Sequence, residues 1–361
     1  MPTASTIVSL DWLLGAVARM FVGAGLSEPD AARIAAGLVE ADLRGIASHG
    51  VMLVPMYVDR LSAGSVTTAS QGEVLIDSGA VAVLDAGHAM GILTADQGMD
   101  LAIERARSLG VGLVVARRAF HFGAAFRYVA AAARAGMIGI AAANTRPLMP
   151  APGGARPVVG NNPLAIGVPR GDAEPIILDM ALSEAALGKI RLAAAEGRSI
   201  PATWATDASG AATTDPEAAI AGMLLPAAGP KGFGLAFMVD VLTGVLSGGG
   251  FGSAVKGLYA DSTVPNDCAH LFIAVDPSAF GDSEAFSRRV TELARQVTSS
   301  PPAAGVDRVR LPGEPEADRR AAASLRGVPL DASVVAALHD SAAGLGVELP
   351  PPATDSSEVS G

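Results

Sequence analysis

Between about residues 72 and 297, short apolar runs alternate with segments of helical periodicity, and this restricts the fold more than any other feature. The runs are almost continuously apolar, as at 111–116 and 137–143. Such strands are typical of a sheet covered on both faces, and intervening helices are typical of α/β domains. The predicted strands are 73–77, 80–85, 111–116, 137–143, 164–168, 175–178 and 271–275, and the predicted helices are 94–109, 123–135, 231–246 and 283–297.

The two ends of the chain have helical periodicity instead. Apolar spacing predicts three helices between residues 9 and 63, the third at 51–61 with an early interruption at Pro55. Two more helices are predicted at 316–325 and 332–345. The last residues, 350–361, are rich in proline and serine, which predicts a flexible tail.

Composition narrows the class of protein. Cys268 is the one cysteine among 361 residues, so an intramolecular disulfide is impossible and a reducing compartment is expected. With 36 acidic against 26 basic residues the formal charge is −10, and the basic runs are too short to follow a phosphate backbone. No apolar stretch reaches the roughly 20 residues of a membrane helix, and no signal-peptide pattern occurs at the N-terminus. We therefore expect a cytoplasmic protein without nucleic acid or membrane partners.

Several common cofactor and metal motifs are missing. No G-x-G-x-x-G follows a predicted strand, so a Rossmann dinucleotide site has no fingerprint, and no Walker loop occurs. The five histidines lack the spacing of metal ligands, so no metal site is predicted.

Two histidines are candidates for proton transfer. His49 follows a predicted helix in Ser48-His49-Gly50, where a hydroxyl and a glycine would leave its ring open to a ligand. His121 lies where a predicted strand passes into a helix, a common place for ligands in α/β proteins. Imidazole titrates near neutrality and suits proton transfer to an alkoxide or amine. The alternatives are a helix-capping His49 without chemistry and a His121 packed between two phenylalanines.

Three loops rich in glycine, proline and asparagine accompany these histidines, at 144–150, 153–163 and 229–234. The third opens a long predicted helix, whose first backbone N–H groups together with Lys231 are suited to an anion such as a diphosphate. Ordinary loops with glycine at positive φ are the alternative.

Taken together, these segments resemble the type-2 malate/L-lactate dehydrogenase family, which also contains ureidoglycolate, sulfolactate, diketogulonate and cyclic-imine reductases. The matching segments occur in the family's order over roughly residues 8–348. They are ADLRGIASHGV at 41–51, HFGA at 121–124, GMIGI at 136–140, NNPLAI at 161–166, LDMA at 178–181, GKI at 188–190, Pro226 with KGFGL at 231–235, and LPGEPE at 311–316.

The resemblance implies an α/β fold with a non-Rossmann nucleotide-binding domain of mixed sheet and a helical domain built from both chain ends. The implied boundaries are helical at 1–70, nucleotide- and substrate-binding at 71–297, and helical again at 298–349, followed by the tail. It also implies NADPH or NADH as cofactor, a small-molecule substrate, and a homodimer with its active site near the subunit interface.

The expected site combines residue roles carried over from the family with further positions in the same segments. The expected catalytic residues are His49 as proton donor, Ser48 and His121. The expected substrate-binding residues are Tyr57, Leu53, Arg146 and Met149. The expected cofactor-binding residues are Asn144, Asn161, Pro163, Leu178, Asp179, Met180, Ala181, Lys231, Gly313 and Glu314.

Several positions differ from the family's pattern. An arginine that would pair with a substrate carboxylate is usual three residues after the Ser-His-Gly glycine, but this chain has Leu53 there. Ala47 replaces an acid, and Leu182 replaces a small or polar residue. Arg146 and Arg118 are candidates for a cation that takes over from the missing arginine. We therefore predict weak activity on pyruvate, oxaloacetate and other small 2-keto acids.

Three functions remain open from the sequence. The first is an NAD(P)H-dependent reductase of a C=O bond next to a polar or acidic group. The second is a cyclic-imine reductase, and the third is a non-catalytic nucleotide-binding relative.

Overall fold

The computed structural model describes residues 5–352. The helices are α1 (Leu10–Gly23), α2 (Glu28–Leu43), α3 (Val54–Ser62), α4 (Gly91–Leu109), α5 (Phe126–Arg134), α6 (Leu187–Ala195), α7 (Pro216–Ala221), α8 (Pro230–Asp240), α9 (Ser283–Thr298), α10 (Glu314–Arg326) and α11 (Ala332–Gly344). The strands are β1 (Ser5–Val8), β2 (Glu73–Ser78), β3 (Val81–Asp85), β4 (Val111–Ala119), β5 (Ile138–Ala143), β6 (Met149–Pro150), β7 (Pro157–Val159), β8 (Leu164–Arg170), β9 (Ala173–Met180), β10 (Ala205–Thr206), β11 (Met223–Leu224), β12 (Cys268–Val275) and β13 (Val328–Asp331).

Seven strands form one sheet in the order β2-β3-β4-β12-β5-β8-β9. β3 and β4 run parallel, whereas the other neighbours in this sheet run antiparallel. The predicted α/β fold with a mixed sheet is therefore confirmed.

Both faces of the sheet are covered. Val114 and Phe272 belong to a core with α4 and α5, whereas their chain neighbours Val115 and Leu271 belong to a second core with α6 and α8. Successive side chains of a strand point to opposite faces. Both alternate sets must therefore be apolar, which explains the continuous apolar runs in the sequence.

The two ends of the chain pack together. β1 pairs antiparallel with β13, and one hydrophobic core combines residues of α1, α2 and α3 with residues of α11. Phe120, just after β4, belongs to the same core. This packing brings the end of β4 against the N-terminal helices.

Some elements begin or end at other residues than predicted. Pro55 does not interrupt the third helix, because a 3-10 turn at Val51–Leu53 leads into α3 and Pro55 occupies its first turn, where no N–H is needed. The helix predicted from residue 123 begins at Phe126, since Gly123 has φ +74. The helix predicted at 231–246 is α8 followed by a π-helical turn at Val241–Val245.

The predicted tail is described in part. The Pro350 carbonyl accepts a hydrogen bond from Nε1 of Trp12 at 3.0 Å, while residues 353–361 lie outside the described residues. No helix within 5–352 has the length and apolar character needed to cross a membrane.

Candidate active site

The site begins in a tight turn after α2, the 3-10 turn Ala47–His49. The buried Asp42 carboxyl group of α2 accepts a hydrogen bond from the N–H of Val51 at 2.7 Å, just beyond this turn. It lies so close to Gly50 that a Cβ there would overlap it. The glycine of Ser-His-Gly thus leaves room for the carboxyl group that fixes the turn.

His121 and His49 form a pair of stacked imidazoles. His121 lies between β4 and α5, and the two ring centroids are 5.4 Å apart with 30° between the planes. Nδ1 of His121 lies 2.6 Å from the hydroxyl of buried Tyr57 on α3. Nδ1 of His49 lies 2.9 Å from Oγ of Ser48. The structure therefore brings His121 to Ser48, His49 and Tyr57, although it follows them by more than 60 residues in the sequence.

Burial keeps both imidazoles neutral. It lowers the pKa of His49 to about 4, and burial together with the neighbouring His49 and His270 holds the pKa of His121 well below its usual value. Burial also raises the pKa of Tyr57 well above its usual range, so the Tyr57 hydroxyl keeps its proton in the hydrogen bond that joins it to Nδ1 of His121. Both side chains remain partly accessible.

A second row of rings lies behind the pair. Phe122 stacks on His270 with centroids 4.6 Å apart, and Phe120 packs edge-on against Tyr57 at 5.2 Å. Burial lowers the pKa of His270 to about 3, so this imidazole is neutral. Both chain neighbours of His121 are therefore packed against other rings.

The residues expected to bind the cofactor gather at one end of β5, β8 and β9. Asn161 accepts a hydrogen bond from Oγ1 of Thr145 at 3.0 Å, and Pro163 directly precedes β8. Residues 178–180 form the end of β9, and Ala181 follows them. The Asn161 carbonyl accepts a hydrogen bond from the N–H after Ala181 at 2.8 Å.

Asn144 belongs to the same group, but its side chain is buried. Its amide donates to Oδ1 of Asp240 and to the Gly250 carbonyl, both at 2.8 Å. Its oxygen accepts from the N–H of Ala269 at 2.7 Å. The Asn144 amide is therefore fully used in joining β5 and β12 to the end of α8.

Asp179 connects this group to the histidines. Its Oδ2 accepts a hydrogen bond at 2.8 Å from the N–H of Phe126, the first residue of α5 and five residues after His121. The Asp179 side chain is otherwise exposed to solvent. The carboxyl group at the end of β9 and the imidazole after β4 are thus linked by one short segment.

Two helices start beside this group. Gly313, with φ +85, precedes α10, and a Cβ there would lie 2.8 Å from the Ile177 carbonyl oxygen of β9. Glu314 opens α10 and accepts a hydrogen bond from the N–H of Leu311 at 3.0 Å. Lys231 is exposed in the first turn of α8 and has no ion-pair partner within residues 5–352.

The remaining residues expected to bind substrate are less open. Leu53 is 3% exposed in the helical core, and Met149 is fully buried in the core on the α8 face. Arg146 is exposed and lacks an ion-pair partner in the described part of the chain, and partial burial together with Arg191 lowers its pKa. Arg118, the other candidate cation, is bound to a carboxylate at 2.7 Å.

Asp42 is a residue that the sequence reasoning missed. It lies on the inner face of α2, four residues after the buried Leu38 and eight residues before Gly50. An acid on an otherwise apolar helix face is the signal that points to it. Within 5–352, no group of three or more His, Cys, Asp or Glu side chains is placed to hold a metal ion.

Comparison with known proteins identifies the family of this chain. Residues 8–339 match the family described as Malate/L-lactate dehydrogenase. The chain belongs to this family. The match confirms the resemblance drawn from the sequence motifs, and with it the prediction that the chain is an enzyme of the dehydrogenase type.

The similarity to individual known proteins extends over most of the chain. Ureidoglycolate dehydrogenase (NAD(+)) of Escherichia coli O157:H7 is 39% identical over 307 residues, 85% of this chain and 87% of the relative. The structure of malate dehydrogenase from Pyrococcus horikoshii OT3 has a TM-score of 0.88 at 33% identity, covering 96% of this chain and 97% of that chain. The structure of delta1-piperideine-2-carboxylate reductase from Pseudomonas syringae pvar. tomato has a TM-score of 0.83 at 31% identity, covering 93% and 99%. One fold thus carries both dehydrogenases and a reductase.

Proposed function

We propose that the chain transfers a hydride between NAD(H) or NADP(H) and a small hydroxy or keto acid, with His49 exchanging the proton. The observation that carries this proposal is the stacked His49–His121 pair with Tyr57 on Nδ1 of His121. Neutral, partly accessible imidazoles side by side are suited to moving one proton at a reacting oxygen.

The two imidazoles have different roles in this proposal. Two adjacent imidazolium ions repel each other, so the pair holds one extra proton at a time. In this proposal His49 takes that proton from the hydroxyl during oxidation and returns it to the carbonyl during reduction. The Tyr57 hydroxyl donates its hydrogen bond to Nδ1 of His121, which leaves the proton of this imidazole on Nε2, where it donates to the same substrate oxygen.

The residues present fit a dinucleotide cofactor. Lys231 and the N-terminal end of α8 provide positive charge for a diphosphate. The Asp179 carboxyl group is suited to accept hydrogen bonds from sugar hydroxyls. When bound, the nicotinamide supplies or accepts the hydride.

The substrate end of the proposed site lacks one cation of the family pattern. Leu53 offers no hydrogen-bond donor, and burying a carboxylate against it would leave that charge without compensation. Arg146, which has no carboxylate partner among residues 5–352, is the cation that we assign to the substrate. A hydroxy or keto acid bulkier than pyruvate, whose carboxylate reaches Arg146, follows from this assignment.

A second candidate function is the reduction of a cyclic C=N bond. Its support is the similarity to the solved delta1-piperideine-2-carboxylate reductase over nearly the full chain. The same proton from His49 would then go to the imine nitrogen. A relative that binds the cofactor without turnover is the third possibility, and the experiment below separates all three.

The proposed enzyme is a homodimer. Along α8 and the π-helical turn after it, the side chains of Leu235, Phe237, Met238, Leu242, Val245 and Leu246 are each about half exposed. Burying a large apolar side chain contributes roughly 1.5–3 kcal/mol, and single chains rarely expose so large a contiguous apolar patch. We assign this helix face to the contact between two copies of the chain.

The substitution His49→Ala tests the proposal. We expect a loss of about 10²–10⁴-fold in turnover with little change in cofactor affinity, measured by NADH or NADPH oxidation across 2-keto acids and cyclic imines. His339→Ala is the matched control, because His339 lies on α11 against Trp12, away from the pair. Near-normal turnover of a folded His49→Ala protein would remove His49 from the mechanism. Thermal stabilisation by cofactor without oxidation of any substrate would favour the non-catalytic relative.

A further inference from the structure

β4 contains one extra residue just before it reaches His121. Ala116 pairs with His270 and Ala119 pairs with Cys268, so two residues of β4 face the single Ala269 of β12. This is a β-bulge, which bends a strand and changes the direction of the side chains that follow.

The bulge requires an unusual backbone conformation. Arg118 has φ +48, in the left-handed region that favours glycine. His88 and Asp267 beside it also have positive φ, +57 and +55. The N–H of His88 donates to the Arg118 carbonyl at 2.8 Å. Three non-glycine residues in this conformation therefore meet where β3, β4 and β12 adjoin.

An ion pair holds the bulge. Nε of Arg118 donates to Oδ1 and Oδ2 of Asp85 at 2.7 and 3.0 Å, and Nε of Arg117 lies 3.3 Å from Oδ2. Asp85 is only 5% exposed, at the end of the parallel neighbour β3. Burial alone would raise the pKa of Asp85, but Arg118, the N–H of Gly87 and Arg117 hold it below its usual value.

The extra residue decides which side chain reaches the site. Because side chains alternate along a strand, a shift by one residue exchanges the two faces. With the bulge, Phe120 packs into the helical core against Tyr57, and His121 meets His49 and the Tyr57 hydroxyl. Without the bulge, the side chains of Phe120 and His121 would each point to the opposite side of β4.

We propose that Arg118, through its ion pair with Asp85, is a positioning residue that holds the bulge in β4 and keeps His121 beside His49 and Tyr57. The inference rests on the proposed function in that His121 is taken to face the substrate. Arg118 itself does not touch the reacting atoms.

The test compares Arg118→Ala with Arg118→Gly in the full chain. Glycine adopts positive φ without strain and should keep the bulge, whereas alanine keeps the strain and loses the ion pair. The first readout is the imidazole ¹⁵N–¹H spectrum of the cofactor-free protein, in which His121 should show a single Nε2–H tautomer. We expect Arg118→Ala to abolish this signature and Arg118→Gly to retain it. Arg117→Ala, which removes only the longer contact to Asp85, is the matched control and should also retain it.

The second readout is turnover. A displacement of about 1 Å can cost up to about 100-fold, so kcat of Arg118→Ala should fall between about 10- and 100-fold while KM for the cofactor stays unchanged. If Arg118→Ala does not fold, Asp85→Asn takes its place, with the same expected loss of the tautomer signature. A wild-type His121 spectrum in the folded variant, or equal damage in Arg118→Gly, would overturn the proposal. If His121→Gln leaves turnover unchanged, the proposed function fails at that residue, whereas the spectra still decide the role of Arg118.

Discussion

The contact between Gly50 and Asp42 gives a prediction whose size follows from the structure. Gly50 has φ −93 and ψ −154, a conformation open to any residue, so alanine there meets no backbone strain. Its Cβ would nevertheless lie closer than 3.0 Å to all three carboxyl atoms of Asp42. The carboxyl group must move away and release the buried N–H of Val51.

The cost has two parts. Overpacking a buried site costs about 1–3 kcal/mol, and leaving a buried N–H without a partner costs about 1–3 kcal/mol. Gly50→Ala should therefore lower the free energy of unfolding by about 2–6 kcal/mol, measured by urea denaturation. Gly15→Ala is the control, because no atom lies within 4 Å of a Cβ there and alanine favours the helix by about 0.5–1 kcal/mol.

A double-mutant cycle checks the mechanism. Asp42→Ala alone should cost about 1–3 kcal/mol, because it leaves the N–H of Val51 unpaired. In the Asp42→Ala background, Gly50→Ala should cost little, because the overlapping carboxyl group is gone. Turnover of Gly50→Ala should also fall, since the turn carries His49. If the two changes add, or if Gly50→Ala is as stable as the wild type, the proposed overlap is wrong.

Three further predictions concern the reaction and the assembly. Because burial lowers the pKa of His49 to about 4, the protonated donor becomes rarer as the pH rises. The kcat/KM for reduction should therefore fall about tenfold per pH unit between pH 5 and 8, while kcat/KM for oxidation stays level. A level pH profile for reduction would exclude His49 as the proton donor. Because Leu53 supplies no cation, kcat/KM on pyruvate and oxaloacetate should lie below about 10⁴ M⁻¹s⁻¹, and steady-state rates at or above that value would show that the missing arginine does not matter. Replacing Leu242 and Val245 together by aspartate should yield a monomer by light scattering at micromolar concentration. The control is Leu109→Asp, which changes an exposed leucine at the end of α4. A wild-type protein that is monomeric and active would refute the dimer.

The sequence predicts most of the sheet because each covered strand carries its own apolar signal. Val114 and Val115 must both be apolar, whatever the rest of the chain does. The sequence also predicts that His121 follows a strand. Its contact with Tyr57 was not, because that hydrogen bond joins residues 64 positions apart and depends on tertiary packing.

Other features of the site depend on local geometry that composition does not show. The bulge at Arg118 comes from the register between β4 and β12, and an arginine at positive φ has no signature in the sequence. Leu53 and Met149 are named by motif position, but packing places both side chains in the cores. The motifs thus locate the site, whereas the register and the packing decide which atoms face it.

The pairing of β1 with β13 has a consequence for synthesis. Val8 pairs with Val328, so the core under the turn that carries His49 includes residues that are synthesised long after the N-terminal helices. At about 5–20 residues per second, the N-terminal helices wait at least about 15 s for this partner. Contacts so distant along the chain also slow folding. A ribosome-bound chain stalled before residue 328 should therefore lack the β1–β13 pair and the part of the helical core that α11 supplies.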